Sequence, residues 1–381
     1  ATMMLRALFI VGLAILANYV IHNPPQALIA KGIEIFESGQ LPDFAARLGI
    51  RAMLNQRLLE VRQPNNTAAQ DSVMSFIEEL RTMPIAIETG AANEQHYEVD
   101  SRFYKLALGP NLKYSSALYE VGTPVAEASA KLGEAETRMF DLYSERAQLG
   151  NGLRVLELGC GWGSLTLYNA GKYPGSTFVG VSYSNSQREF IMKKAKALGL
   201  KNVQILTADM NTFQLPEGME LFDRVVSIEM FEHMKNYDKL LKKVASFLNV
   251  GGKLFVHTFN HKDYSYHFEA RGPDDWMSKY FFTGGTMAST HTLHYFQKDL
   301  TLTHHWQVNG MHYALTSEAW LQNTDKNKEQ VLELFEEYYG EGQSTLWLAR
   351  WRAFWMACAE CFAWNNGNEW FVSLYLFEKQ H

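Results

Sequence analysis

Cysteine is scarce in this chain: three in 381 residues, Cys160, Cys358 and Cys361. An odd number at this spacing supports no disulfide framework and points to a reducing compartment, here the cytoplasm. Cys358-x-x-Cys361 has no second CxxC or HxxH to complete a zinc site. It lies near the C-terminus, whereas a thioredoxin-type pair would open a helix early in a βαβ unit, so both thiols are assigned to the core and no metal site is expected. A basic block is also missing. Lys and Arg number 35 against 41 Asp and Glu, a net charge of −6. That balance argues against nucleic acid and against electrostatic docking on anionic lipid. No apolar run reaches the ~20 residues of a bilayer span. The nearest, residues 5–22 ("LRALFIVGLAILANYVIH"), is interrupted by Asn18 and ends before Asn23-Pro24-Pro25. It reads as a helix packed on the rest of the protein or on the second subunit of a homodimer. It is also the one feature through which a weak membrane association could arise. Internal repeats and low-complexity tracts are absent.

What the chain does have is apolar material, 47% of its residues, enough for a large core and about two domains. Residues 26–90 read as helical. In "SVMSFIEELRTM", Val73, Phe76, Ile77 and Leu80 recur at i, i+3, i+4 and i+7, one face of a helix. Residues 91–135 are irregular, and "EAETRMFDLYSERAQL" then stacks Met139, Leu142 and Tyr143. From 153 the rhythm changes: β-rich runs at 153–158, 177–182, 203–207, 223–228 and 253–258 alternate with helical stretches. That alternation predicts a doubly wound α/β fold with a parallel sheet and helices on both faces. After 259 come aromatic-rich loops, a helix over 328–339 and a last strand, "WFVSLYLFE". The expected organisation is an apolar N-terminal helix (1–25), a helical region (26–135), an α/β core (136–260) and substrate-cap insertions with the last strands (261–381).

The first specific signal is "VLELGCGWGSLTL", residues 155–167, an apolar strand meeting Gly159, Gly161 and Gly163 before a helical pattern. Glycine permits positive φ and close approach of backbone to ligand, and ligands of such sheets bind at the carboxyl ends of the strands. A nicotinamide cofactor expects G-x-G-x-x-G and an acid ~20 residues on. Here the spacing is one residue short, and "FVGVSYSNSQ" ends the second strand without an acid. The shorter loop fits S-adenosylmethionine (SAM), which has no phosphates to cradle. Asp209 in "LTADM" can accept its adenine amino group.

"VVSIEMFEHMKNY" then runs from a strand ending at Ile228 into Glu229, Glu232 and His233. If a helix continues there, positions i, i+3 and i+4 share one face. Two carboxylates and an imidazole would converge where the methyl donor ends. An alkylamine is mostly protonated at neutral pH and must lose a proton before it can attack. His233, with an ordinary pKa of ~6.5, is the natural acceptor, Glu232 could orient it or take the proton, and Glu229 could stabilise the cation. Downstream, "LWLARWRAFWMACAECFAWNNGNEW" carries Trp351 and Phe354, candidates to line a pocket for a cationic amine.

Together, "LKYSSALY" (112–119), the glycine turn, "GVSYSNSQ" and "FEHMKNY" resemble the cyclopropane fatty acid synthase superfamily of SAM-dependent methyltransferases. "MFDLYSERA", "SIEMFEHMKNY" and "WNNGNEW" are similar to its amine-methylating branch, which includes the coclaurine and pavine N-methyltransferases. The resemblance spans roughly residues 45–381 and implies a Rossmann-like methyltransferase sheet. It places SAM, whose product is S-adenosylhomocysteine, on Tyr114 and Ser115, on Gly159 and Gly161, and on Tyr183, Ser184 and Gln187. Asp209 and Met210 would flank the adenine, with Ile228 beneath it. Glu98 and His257 fall on the substrate side. Where the branch carries Tyr, Arg350 stands, a cation suited to a smaller or acid-bearing amine.

The expected activity is therefore SAM-dependent N-methylation of a small amine with a Glu/His general base. Two alternatives are a synthase-like methylation of an unsaturated lipid and a SAM-binding protein without catalysis. The synthases hold a bicarbonate partly through the Cys of a Y-S-C motif, which here reads Tyr114-Ser115-Ser116. Glu232 and His257 could still hold an anion.

Overall fold

The computed structural model describes residues 26–39, 41–87, 100–272 and 275–381. The apolar segment 5–22 and Glu98 lie outside these residues. The chain opens with helices α1 (Gln26–Glu37), α2 (Asp43–Val61), α3 (Asn66–Thr82), α4 (Ser101–Ala107) and α5 (Ala128–Arg146). The α/β part follows as β1 (Arg154–Leu158), α6 (Ser164–Lys172), β2 (Thr177–Ser182), α7 (Asn185–Ala197), β3 (Val203–Thr207), β4 (Phe222–Ile228), α8 (Tyr237–Phe247) and β5 (Leu248–His261). Strands β1 to β5 run parallel in the order β3-β2-β1-β4-β5. After the short β6 (Tyr266–His267), α9 (Trp276–Tyr280) and β7 (Thr286–Ser289) come β8 (Thr301–Val308), α10 (Met311–Lys326), α11 (Lys328–Tyr339), α12 (Ser344–Ala363) and β9 (Trp370–Glu378). Strand β9 lies antiparallel to β5, and β8 antiparallel to β9.

Side chains of a strand alternate between the two faces of its sheet, and the strands here are apolar on both. Val155, Val226, Phe255 and Leu376 join the core shared with α5, α10 and α12. Leu156, Val225, Leu254 and Phe377 join the opposite core with Ile77 and Leu80 of α3 and with Leu240, Leu241 and Val244 of α8. Burial of both faces is what makes these segments read as largely apolar in the sequence.

Strand β5 outlasts its expected stretch at both ends because it pairs with β4 on one side and with β9 along Lys253–His261 on the other. Several elements beyond 259 have no counterpart in the sequence reading, β8, α10 and α12 the longest of them. Strand β8 pairs only with β9, and most of "TLTHHWQV" is polar and part-exposed. Helix α10 is buried on nearly every side, with Tyr313, Ala314, Leu315, Thr316 and Ser317 all inside, so it shows no single apolar stripe. Among the described residues no helix is long and apolar enough to cross a membrane.

Candidate active site

The strand order reverses between β1 and β4, which makes a crevice at their carboxyl ends. The glycine turn stands there. Gly159, Gly161 and Gly163 have φ of +77°, +49° and +75°, a region that suits glycine. The N–H groups of Gly159 and Cys160 both donate to Val181 O, at 3.0 and 2.9 Å, tying the turn to β2. A Cβ on Gly159 would lie 2.9 Å from Met230, and one on Gly163 would lie 2.7 Å from Ile191, whereas nothing lies within 4 Å of that position on Gly161. The turn is thus packed at its ends and open in the middle.

Around it, Ser184 caps α7 beside the half-exposed Tyr183. Gln187 accepts from the Ser182 hydroxyl at 2.6 Å, which leaves its buried Nε2 donor without a protein partner. Asp209 and Met210 follow β3; Asp209 Oδ1 accepts the Asn211 N–H at 2.8 Å, and the Met210 carbonyl accepts Lys243 Nζ at 3.0 Å. Ile228 ends β4. Tyr114 packs on Tyr104 and Trp320, and the buried Ser115 accepts from Lys113. An open glycine and a buried amide donor without a partner among the described residues fit SAM.

Beyond β4 the backbone does not continue as a helix. Glu229 takes a left-handed conformation (φ +49°), held by its N–H to His257 O at 2.9 Å, and Phe231–His233 forms a 3₁₀ turn. The three candidate residues therefore do not share one helical face. Glu229 and His233 reach the wall of a cavity of about 660 Å³, and Glu232 is buried behind it.

The Glu229 carboxylate is held by three donors. Its Oε1 accepts the Ser116 N–H (2.9 Å) and His257 Nε2 (3.0 Å), and its Oε2 accepts the Tyr313 hydroxyl (2.7 Å). Burial alone would favour its neutral acid. The hydrogen bond from His257, the Lys113 charge and the Ser116 N–H outweigh that and hold it below the usual carboxylate range. Glu232 is the opposite case. Its Oε1 accepts the Phe259 N–H at 2.7 Å, but its buried Oε2 has no hydrogen-bond partner among the described residues. Burial first, then the charge of Glu229, push it up to about 8. Burial pushes His233 down to about 4, so its imidazole is neutral at physiological pH.

The cavity is mostly apolar. Phe259, Phe268, Phe282, Tyr313, Phe354 and Phe362 form much of its inner wall, with Cys358 and Cys361 on the same wall. The CxxC pair thus faces the cavity, and burial pushes both thiols up. Phe354 lies where the sequence placed it. Trp351 does not line the cavity; it packs among Phe103, Phe281 and Trp355 in the core. His257 sits behind Glu229, with Nδ1 on the Tyr143 hydroxyl at 2.6 Å and Nε2 on Glu229. Arg350 pairs with Glu37 (2.9 Å) and lies over the Tyr280 ring, so its charge is spent outside the cavity.

The roof is α1 and α2, which contribute Phe36, Ala46, Ile50 and Met53. Ion pairs fasten it to the cap: Arg47 to Glu318 (2.6 Å) and Glu360 (3.0 Å), Arg51 to Glu360 (2.5 Å), and Asp43 to Arg352 (2.8 Å). The sequence gives no signal for Tyr313 or for this roof, since their partners lie 84 to 313 residues away.

The sequence model of the family described as mycolic acid cyclopropane synthetase matches residues 87–370. The chain is 38% identical over 361 residues to (S)-coclaurine N-methyltransferase of Thalictrum flavum subsp. glaucum, covering 94% of this chain and 98% of that protein. It is 36% identical over 355 residues to pavine N-methyltransferase of the same plant, covering 92% and 97%. A crystal structure of coclaurine N-methyltransferase bound to N-methylheliamine and SAH matches with a TM-score of 0.86 at 35% identity, covering 92% of this chain and 99% of that one.

Proposed function

The chain belongs to the mycolic acid cyclopropane synthetase family and is a SAM-dependent methyltransferase, and from that premise we propose that it methylates the nitrogen of an alkylamine that carries an aromatic ring, bound in the 660 Å³ cavity. The observation that carries this reading is Glu229, a carboxylate kept ionised at the floor of an aromatic cavity. Such a site attracts an ammonium. Rings on the wall add cation–π contacts of ~0.5–2 kcal/mol each, and burial in a low dielectric strengthens every charge interaction. The relatives named for N-methylation support the same acceptor.

SAM supplies a methyl group on a sulfonium, whose sulfur takes the electron pair as the new N–C bond forms. The rest falls to the chain. Glu229 draws in the ammonium form. His233, neutral at the wall, accepts a hydrogen bond from its N–H and orients the nitrogen. The proton then passes to Glu232, whose neutral acid is its favoured state in so dry a position. Positioning of the two reactants contributes on the order of 7–11 kcal/mol to the barrier.

The lipid-modifying alternative needs a bound anion to remove a proton from a carbocation. Ser116 and His257, two positions where that anion would rest, already donate to the protein's own Glu229 carboxylate. The amine reading is tested by product analysis with methyl-labelled SAM: the label is expected on the nitrogen of an alkylamine that carries an aromatic ring. A protein that binds SAM by calorimetry but transfers no label to any acceptor would contradict it.

A further inference from the structure

Lys113 lies beneath the site, and the part given to it above is its charge, which helps to hold Glu229 ionised. It is 1% exposed, and its ammonium donates to Ser115 Oγ, to Ser116 O at 2.7 Å and to the Tyr143 hydroxyl at 3.1 Å. An ammonium has three donors and no acceptor, so the Tyr143 oxygen receives that bond. Its own hydrogen then points to His257 Nδ1, 2.6 Å away. His257 must carry its proton on Nε2, and that N–H faces Glu229 Oε1 at 3.0 Å. All donors in the chain point one way, toward the carboxylate. We infer that Lys113 is a positioning residue of the methyl-transfer site, one that sets the tautomer of His257 through Tyr143 and thereby secures a donor on Glu229. The inference rests on the role given to Glu229 under the proposed function.

Without Lys113 the Tyr143–His257 bond is free to reverse. Nδ1–H would donate to the Tyr143 oxygen, and the Nε2 lone pair would face a carboxylate oxygen 3.0 Å away. Two acceptors repel at that distance, and a proton on Glu229 would relieve them. The surrounding charges do not replace Lys113. Glu136 and Glu157 face Lys113 as further carboxylates. Glu232 and Cys358 face Glu229 from the neighbouring turn and from α12, Tyr313 from α10 and His233 from the cavity wall, and none of these brings a cation at neutral pH.

The test is the tautomer of His257, read from ¹⁵N shifts of histidine-labelled protein and assigned by comparison with His257→Asn. Wild type is expected to show the Nε2–H form. Lys113→Met should convert it to Nδ1–H or to a mixture and lower kcat/KM for the amine ~10-fold or more at neutral pH. Adding Tyr143→Phe removes the acceptor for Nδ1–H, so the double variant should return to the Nε2–H form, a reversal that general structural damage would not produce. An Nδ1–H tautomer in wild type overturns the inference whether or not the variants fold, and so does an unchanged tautomer in Lys113→Met. The spectrum needs no amine turnover, so it stands apart from failure of the N-methylation reading, which the label assay detects.

Discussion

Gly161 and Gly163 sit two positions apart, both in left-handed backbone, yet a side chain would meet different surroundings at each. Alanine at either position incurs a backbone cost of ~1–2 kcal/mol. At Gly163 the added carbon also strikes Ile191, so Gly163→Ala should lower the melting temperature clearly more than Gly161→Ala. At Gly161 the carbon enters open space, which the proposed placement gives to SAM, so Gly161→Ala should lose most SAM affinity by calorimetry while Gly163→Ala keeps it. Equal loss of affinity in both would remove Gly161 from the cradle. The acid-base residues give a second test. Glu232, held near 8, is protonated below that pH and cannot accept a proton, so kcat/KM for the amine should rise with pH through about 8. Glu232→Gln should lose that limb and, as a missing general base, ~10²–10⁴ in rate. The residue types and their place after β4 are legible in "EMFEHM". Their protonation states are not, because burial moves His233 and Glu232 in opposite directions relative to neutrality, and burial is a property of the fold. A rate limb through the ordinary imidazole range, the expectation from His233 alone, is therefore replaced by one near 8.

Among the elements, the parallel strands are legible because burial on both faces leaves them largely apolar. Helix α3 is legible through its single stripe, with Ile77 and Leu80 fully buried. The cavity roof escapes the sequence because its fastenings are polar and distant. Arg47 and Arg51 on α2 look like the solvated face of a helix, yet both end on Glu360 of α12, whose side chain is 8% exposed. Arg350 escapes in the other direction: a cation in an aromatic stretch suggests a partner for an acidic substrate, but Glu37 of α1 already holds it. Glu360→Gln should weaken the roof by ~1.5–3 kcal/mol, the range for hydrogen bonds to charged groups. The expected signature is a raised KM for the amine with SAM affinity unchanged, and a smaller response of KM to added salt than in wild type, since the screened pairs are gone. A variant with unchanged KM would show that the roof closes without these pairs.

For the molecule as a whole, the doubly wound sheet and its SAM crevice follow from the βα alternation and one glycine turn. The second half of the site does not. The cavity is assembled from α1 and α2 at one end of the chain, α9, α10 and α12 at the other, and the turn after β4 between them. That assembly sets Glu229 on its donors and makes the aromatic, acid-floored chamber in which the proposed methyl transfer takes place. The central claim is that this chamber delivers the methyl group to nitrogen. It is tested most directly by letting the full chain and methyl-labelled SAM act on an equimolar mixture of an alkylamine that carries an aromatic ring and an unsaturated phospholipid, and measuring where the label goes. The expected result is label on the amine nitrogen and none on the acyl chain; label in a cyclopropane or branched acyl chain, with the amine unmodified, would contradict it.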